Sequence, residues 1–242
     1  MENIKSIVKD RYAKIATAPS KKSCCGESSV EFLINKHYDP DELGDVQIAD
    51  LGLGCGSPTT FSEINNGMHV LDLGSGAGID VFIASKHVGP TGMVIGLDMT
   101  PEMIARANKN AETLGIRNVE FRLGEIEQIP VDSNSIDLVI SNCVINLVPD
   151  KSKAFAEIYR TLKPGGAFVI SDMATSGIMP DTLRNDTERW TECVSGALDK
   201  EEYLRLIAAA GFKEIQVVST SNDQTHSTDN FKLLWITVKG RK

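Results

Sequence analysis

The sequence predicts an α/β protein: a doubly wound, mostly parallel seven-stranded sheet with an N-terminal cap. Three observations carry this. Short apolar runs alternate with segments of helical period from residue 69 onward. The first run, His69-Val70-Leu71-Asp72-Leu73, passes into a turn containing Gly74, Gly76 and Gly78 and then into a helix. A second run, Met93-Val94-Ile95-Gly96-Leu97, ends in Asp98, about twenty residues beyond the turn. Strand–helix alternation with right-handed crossovers gives a parallel sheet covered on both faces.

Taken in order, apolar residues at Ile4, Ile7, Val8, Tyr12 and Ile15 predict an amphipathic N-terminal helix. A polar stretch, Pro19 to Ser23, leads to Cys24-Cys25-Gly26. Residues 27–66 show no clear period and contain a glycine-rich loop, Leu51 to Pro58, around Cys55. Residues 1–66 are therefore read as the cap and residues 67–242 as the sheet domain. Strands are predicted at 69–73, 93–98, 119–124, 136–141 and 167–172, and two final ones at Val217-Val218 and Leu233–Val238. Helices are predicted at 78–88, 101–114, 150–162, 181–194 and 200–210. Lys163-Pro164-Gly165-Gly166 reads as a helix stop.

Composition narrows the function classes. The 242 residues suit one domain, and 41% hydrophobic with 24% charged content is ordinary for a globular protein. A net charge of −8 argues against a nucleic-acid partner held through phosphates. The sequence has no apolar run of membrane-spanning length, and its first fifteen residues are too charged for a secretory leader. A cytoplasmic location follows as the expectation, with no membrane partner and with five reduced cysteines.

The glycine turn predicts a nucleotide-type ligand, and its details favour a cationic one. The spacing is GxGxG rather than GxGxxG, and Asp72 lies two residues before Gly74. A carboxylate there would repel a pyrophosphate but suits an ammonium and a sulfonium. S-adenosylmethionine is thus the expected cofactor, with Asp72, Gly74, Ser75 and Gly76 around it and Asp98 accepting from the ribose hydroxyls. Ligands of such sheets lie beyond the carboxyl ends of the strands, which brings in three further segments. Met99 follows the second strand. Glu125, Ile126 and Glu127 follow the third, where Ile126 can cover the adenine face and a glutamate can accept from its amino group. Asn142 follows the fourth and can hold the methionine end.

The cysteines lie at 24, 25, 55, 143 and 193, without CxxC or zinc-ligand spacing. Cys143 follows the fourth strand at the ligand crevice, and Cys55 sits in a glycine loop. Spacing alone leaves open whether they meet or are merely buried small hydrophobes. The chain resembles the arsenite S-adenosylmethionine methyltransferases, a class I, Rossmann-like family. The selective pieces are LGLGCG around Cys55, SNCVINL at 141–147 and WTECVSGAL at 190–198, supported by VIGLDMTPEM at 94–103 and GEIEQIP at 124–130. The resemblance implies that Cys55, Cys143 and Cys193 bind trivalent arsenic as substrate and that Cys24 and Cys25 are accessory thiols. It further implies arsenite or its thiol conjugates as substrate and a thiol reductant of glutathione or thioredoxin type. One departure is Tyr12-Ala13, where the family often has Tyr-Gly. The competing reading is a small-molecule C- or O-methyltransferase of the quinone-biosynthesis type, which needs no cysteine trio.

Overall fold

The computed structural model describes residues 2–18, 38, 40–228 and 230–242. Cys24 and Cys25 lie outside the described residues. Seven strands form one sheet in the order β3-β2-β1-β4-β5-β7-β6. They are β1 (His69–Leu73), β2 (Met93–Asp98), β3 (Val119–Leu123), β4 (Ile136–Asn142), β5 (Leu162–Gly177), β6 (Lys213–Thr228) and β7 (Phe231–Arg241). The first five are mutually parallel, while β7 runs antiparallel to β5 and β6 antiparallel to β7. The strand order reverses between β1 and β4, so the crevice at their carboxyl ends is the expected ligand position.

The helices are α1 (Glu2–Thr17), α2 (Pro40–Leu43), α3 (Ile79–Val88), α4 (Pro101–Leu114), α5 (Lys151–Thr161), α6 (Asp181–Arg184), α7 (Thr187–Thr191) and α8 (Lys200–Ala209). One face of the sheet is covered by α5 and α8, through Phe155, Ile158, Tyr203 and Ile207. On the other face, Val81, Phe82 and Met103 of α3 and α4 share a core with Val46, Ala49 and Leu51 from the segment before β1. Each fully buried aromatic or branched side chain contributes about 2–3 kcal/mol by leaving water.

The predicted helix over 181–194 is two short helices. Asp186 breaks it, because its carboxylate accepts from the N–H groups of Glu188 and Arg189 and caps α7. Cys193 is thereby placed on a turn beyond α7 rather than on a helix face. The strands predicted at 167–172 and 217–218 extend to Leu162–Gly177 and Lys213–Thr228, since antiparallel pairing with β7 propagates along the whole hairpin.

Candidate active site

A cavity opens at the carboxyl ends of β1, β2, β3 and β4, with α1 across its mouth through Lys5, Val8 and Tyr12. The glycine turn forms its floor. Gly74 and Ser75 donate to the Leu97 carbonyl at 2.7 and 2.9 Å, tying the end of β1 to the end of β2. Gly74 has φ +68°, and a Cβ there would meet Val144 at 2.3 Å. Gly76 has φ +53°, but a Cβ there would meet nothing, so its backbone faces open space where a ligand can approach.

Four aspartates line this space: Asp50, Asp72, Asp80 and Asp98. Asp98 accepts from Gly76 N at 3.0 Å and Thr100 N at 2.8 Å, which fixes it beside the turn. Asp72 is buried, and burial together with the charges of Asp80 and Asp98 raises its pKa well above the usual carboxylate range. Asp80 is raised to about 6 by burial, with hydrogen bonds from Asn142 and Tyr38 partly offsetting it. Burial also raises Asp98. Asp50 Oδ2, Ser75 Oγ and Asp80 Oδ1 are buried without a hydrogen-bond partner among the described residues. Clustered acids with unused acceptors fit a cationic ligand, and S-adenosylmethionine meets that requirement with its ammonium and sulfonium.

Several expected contacts take a different form. Lys5 of α1 pairs with Glu125 at 2.7 Å and Glu127 at 2.9 Å, so both glutamates are engaged by a cation of the chain itself. Ile126 is buried between them and lines the cavity, as does Met99. Asn142 lines the cavity too, but its amide is turned to the Cys55 loop: Oδ1 accepts from Cys55 N at 3.0 Å and Gly56 N at 3.2 Å. Asp80 and Tyr38 were missed in the sequence. An acid in the first helical turn reads as an ordinary helix-dipole charge, and Tyr38 lies in a segment without period.

The three cysteines meet in one apolar cluster with Val8, Leu147, Met173 and Trp190. Cys55 and Cys143 are joined by a disulfide across a Cα–Cα distance of 5.9 Å. The two residues stand at ordinary disulfide separation because Asn142 holds their backbones together. Cys193 is a buried thiol whose Sγ donates to the Cys143 carbonyl at 3.0 Å. Among the described residues no three His, Cys, Asp or Glu side chains are grouped to hold a metal ion. Cys143 (φ +58°) and Cys193 (φ +67°) both have left-handed backbone, which costs a residue with a Cβ of order 1 kcal/mol and recurs at functional sites.

A buried polar network stands behind the cysteines. Lys151 donates to the carbonyls of Asn146 at 3.2 Å and Val148 at 2.9 Å and lies 5.6 Å over the Trp190 ring. Burial lowers its pKa to about 8, while Asp172 and Cys193 oppose the shift. Asp172 accepts from Asn146 N and Met173 N and is raised to about 7 by burial.

Comparison with known proteins agrees with this geometry. The Methyltransferase domain family matches residues 64–211. An arsenite methyltransferase of Halobacterium salinarum is 43% identical over 232 residues, covering 89% of this chain and 59% of the relative. An arsenite methyltransferase of Aquipseudomonas alcaligenes is 36% identical over 221 residues, covering 87% and 62%. The chain thus spans about 60% of the length of these two curated relatives. A crystal structure of an arsenic(III) S-adenosylmethionine methyltransferase from Chlamydomonas reinhardtii superposes with a TM-score of 0.72 at 31% identity, covering 90% of this chain and 75% of that one. Among the described residues no helix is long and apolar enough to cross a membrane. With the methyltransferase sheet order, an acid-lined cavity at its switch point and these likenesses together, the chain belongs to the class I methyltransferase domain family, as a relative of the arsenite methyltransferases.

Proposed function

We propose that this chain transfers a methyl group from S-adenosylmethionine to trivalent arsenic held by Cys55, Cys143 and Cys193. The observation that carries this reading is the meeting of all three cysteine loops beside the acidic cavity. The described residues before β1 cap the reaction space, with α1 over the cavity and the Cys55 loop beside it. The setting is a reducing one, such as the cytoplasm, where glutathione- or thioredoxin-type thiols open the Cys55–Cys143 disulfide and ready the pair for substrate. Cys24 and Cys25 serve as accessory thiols at the same step.

S-adenosylmethionine supplies an electrophilic methyl on a sulfonium. Asp72 and Asp80 would hold its ammonium, Asp98 its ribose hydroxyls, and Ile126 its adenine. The three thiolates replace the hydroxyls of arsenite, because arsenic(III) and thiolate are both soft. Arsenic keeps a lone pair, which forms the new As–C bond as the C–S bond breaks and its electron pair stays on sulfur. Arsenic is thereby oxidised by two electrons, which the thiol reductant returns as it becomes a disulfide. The nucleophile has no proton to lose, so no general base is needed. The chain contributes alignment of arsenic, carbon and sulfur, and the apolar wall of Val8, Met173 and Trp190 excludes water from the thiolates.

The test follows labelled methyl from S-adenosylmethionine to arsenite with a thiol reductant present. Cys143→Ser is expected to lower turnover at least 100-fold while S-adenosylhomocysteine still binds, because serine is a hard, weak ligand for arsenic. Equal turnover in both proteins would remove Cys143 from the reaction. Absence of turnover in the wild type despite cofactor binding would overturn arsenic as the acceptor.

A further inference from the structure

We propose that Asn142 is a positioning residue that couples the cofactor cavity to the cysteine site, so that occupancy of one tightens binding at the other. This rests on the reading above, in which the cavity takes S-adenosylmethionine and the cysteines take arsenic.

Asn142 sits between the two sites and touches both. It directly precedes Cys143, and its Oδ1 accepts the N–H groups of Cys55 at 3.0 Å and Gly56 at 3.2 Å. Its Nδ2 reaches Gly56 O at 2.7 Å, Tyr38 Oη at 3.0 Å and Asp80 Oδ2 at 3.2 Å. Tyr38 also donates to Asp80 Oδ2 at 3.0 Å. One amide therefore clamps the Cys55 loop against the Cys143 turn and passes its donor side to a cavity carboxylate. The other oxygen of that carboxylate, Asp80 Oδ1, is buried and has no partner among the described residues. It is the atom left for a ligand in the cavity.

The loop is shaped for this clamp. A Cβ on Gly54 would lie 2.8 Å from Asn142 Nδ2, and one on Gly56 would lie 2.7 Å from Ser171 Cβ. Glycine on both sides of Cys55 lets the loop lie flush against the ends of β4 and β5. The GCG triplet is thus explained by close approaches, Gly54 to Asn142 and Gly56 to Ser171, independently of the hydrogen bonds. Any cation that draws Asp80 toward the cavity must move or tighten the Tyr38–Asn142 pair, and with it the backbone that presents Cys55. Coupling of this kind is reciprocal: whatever factor the cofactor contributes to arsenite affinity, arsenite contributes to cofactor affinity.

The experiment is calorimetric titration of the full chain, kept reduced with a phosphine, with S-adenosylhomocysteine in the absence and presence of saturating arsenite, and the reverse. In the wild type each ligand is expected to tighten the other roughly tenfold. Asn142→Ala is expected to bring that factor close to one while each ligand still binds alone. Should Asn142→Ala fail to fold, Tyr38→Phe, which removes only the hydroxyl of the relay, is expected to reduce the factor at least threefold without changing the fold by circular dichroism. A wild type that binds both ligands independently, or variants that keep the wild-type factor, would overturn the coupling and leave the methyltransferase reading intact. A wild type that fails to bind arsenite at all would overturn that reading, and the coupling with it.

Discussion

Gly196→Ala is expected to cost about 3 kcal/mol of stability and, on the proposed function, to weaken arsenite binding at least tenfold. A Cβ at this position would lie 2.0 Å from the Asn146 carbonyl oxygen and 3.0 Å from its carbon. The obstacle is backbone, and that backbone cannot yield cheaply. Asn146 N donates to Asp172 at 3.1 Å, its side chain donates to Met173 O at 2.7 Å, and its carbonyl accepts from Lys151. Overpacking against so constrained a neighbour reaches the upper end of the usual 1–3 kcal/mol range. The two loops pushed apart are those that carry Cys143 and Cys193, so the damage falls on the cysteine site. Urea denaturation should show a lower midpoint with an unchanged slope, and S-adenosylhomocysteine affinity should stay within about twofold of wild type. An unchanged midpoint together with unchanged arsenite affinity would mean that the loops relax without loss.

The parallel half of the sheet was legible because each strand is a short apolar run stopped by a turn signal. Val70 to Leu73 ends at Gly74, and Val94 to Leu97 ends at Asp98. The ribose-type acid was legible for the same reason, since Asp98 stands at a fixed distance from the glycine turn. Asp80 was hidden, because only the fold brings Asn142 and Tyr38 to it. The cysteine set could not be read from spacing. Cys55, Cys143 and Cys193 follow unrelated elements, and their meeting depends on contacts such as that of Cys55 with Cys143, 88 positions away. Resemblance named them, and no local pattern signalled that two of them bond to each other. The break at Asp186 was missed because helical period continues across it, while the decisive interaction is a single side-chain cap.

Cofactor affinity is expected to rise between pH 5 and pH 8, while the stability of the ligand-free protein falls between pH 5 and pH 7. The sign follows from proton counts. Asp72 and Asp80 have folded pKa values raised above their unfolded ones by burial, with neighbouring carboxylates adding to it. Asp172 is raised likewise, to about 7. Between about pH 4 and pH 7 the native state therefore holds more protons than the unfolded chain, and stability decreases as pH rises. For Asp80, raised to about 6, the contribution is on the order of 2–3 kcal/mol. Glu120 and Glu157, held below the usual range by their arginines, act in the opposite sense only at lower pH, outside this window. An ammonium placed among Asp72 and Asp80 favours their ionised forms and so releases protons. Calorimetry of S-adenosylhomocysteine binding in buffers of different ionisation enthalpy should show protons released at pH 6, with the share from Asp80, raised to about 6, fading by pH 8. Asp80→Asn should remove much of that release, weaken binding at least tenfold, and raise the melting temperature of the ligand-free protein at pH 8. Affinity independent of pH, with no proton released, would mean that the cavity acids are already ionised before the ligand arrives. Burial would then be offset by water reaching them through the mouth under α1, and the cationic ligand would be drawn in by a standing negative field rather than by acids that ionise as it binds.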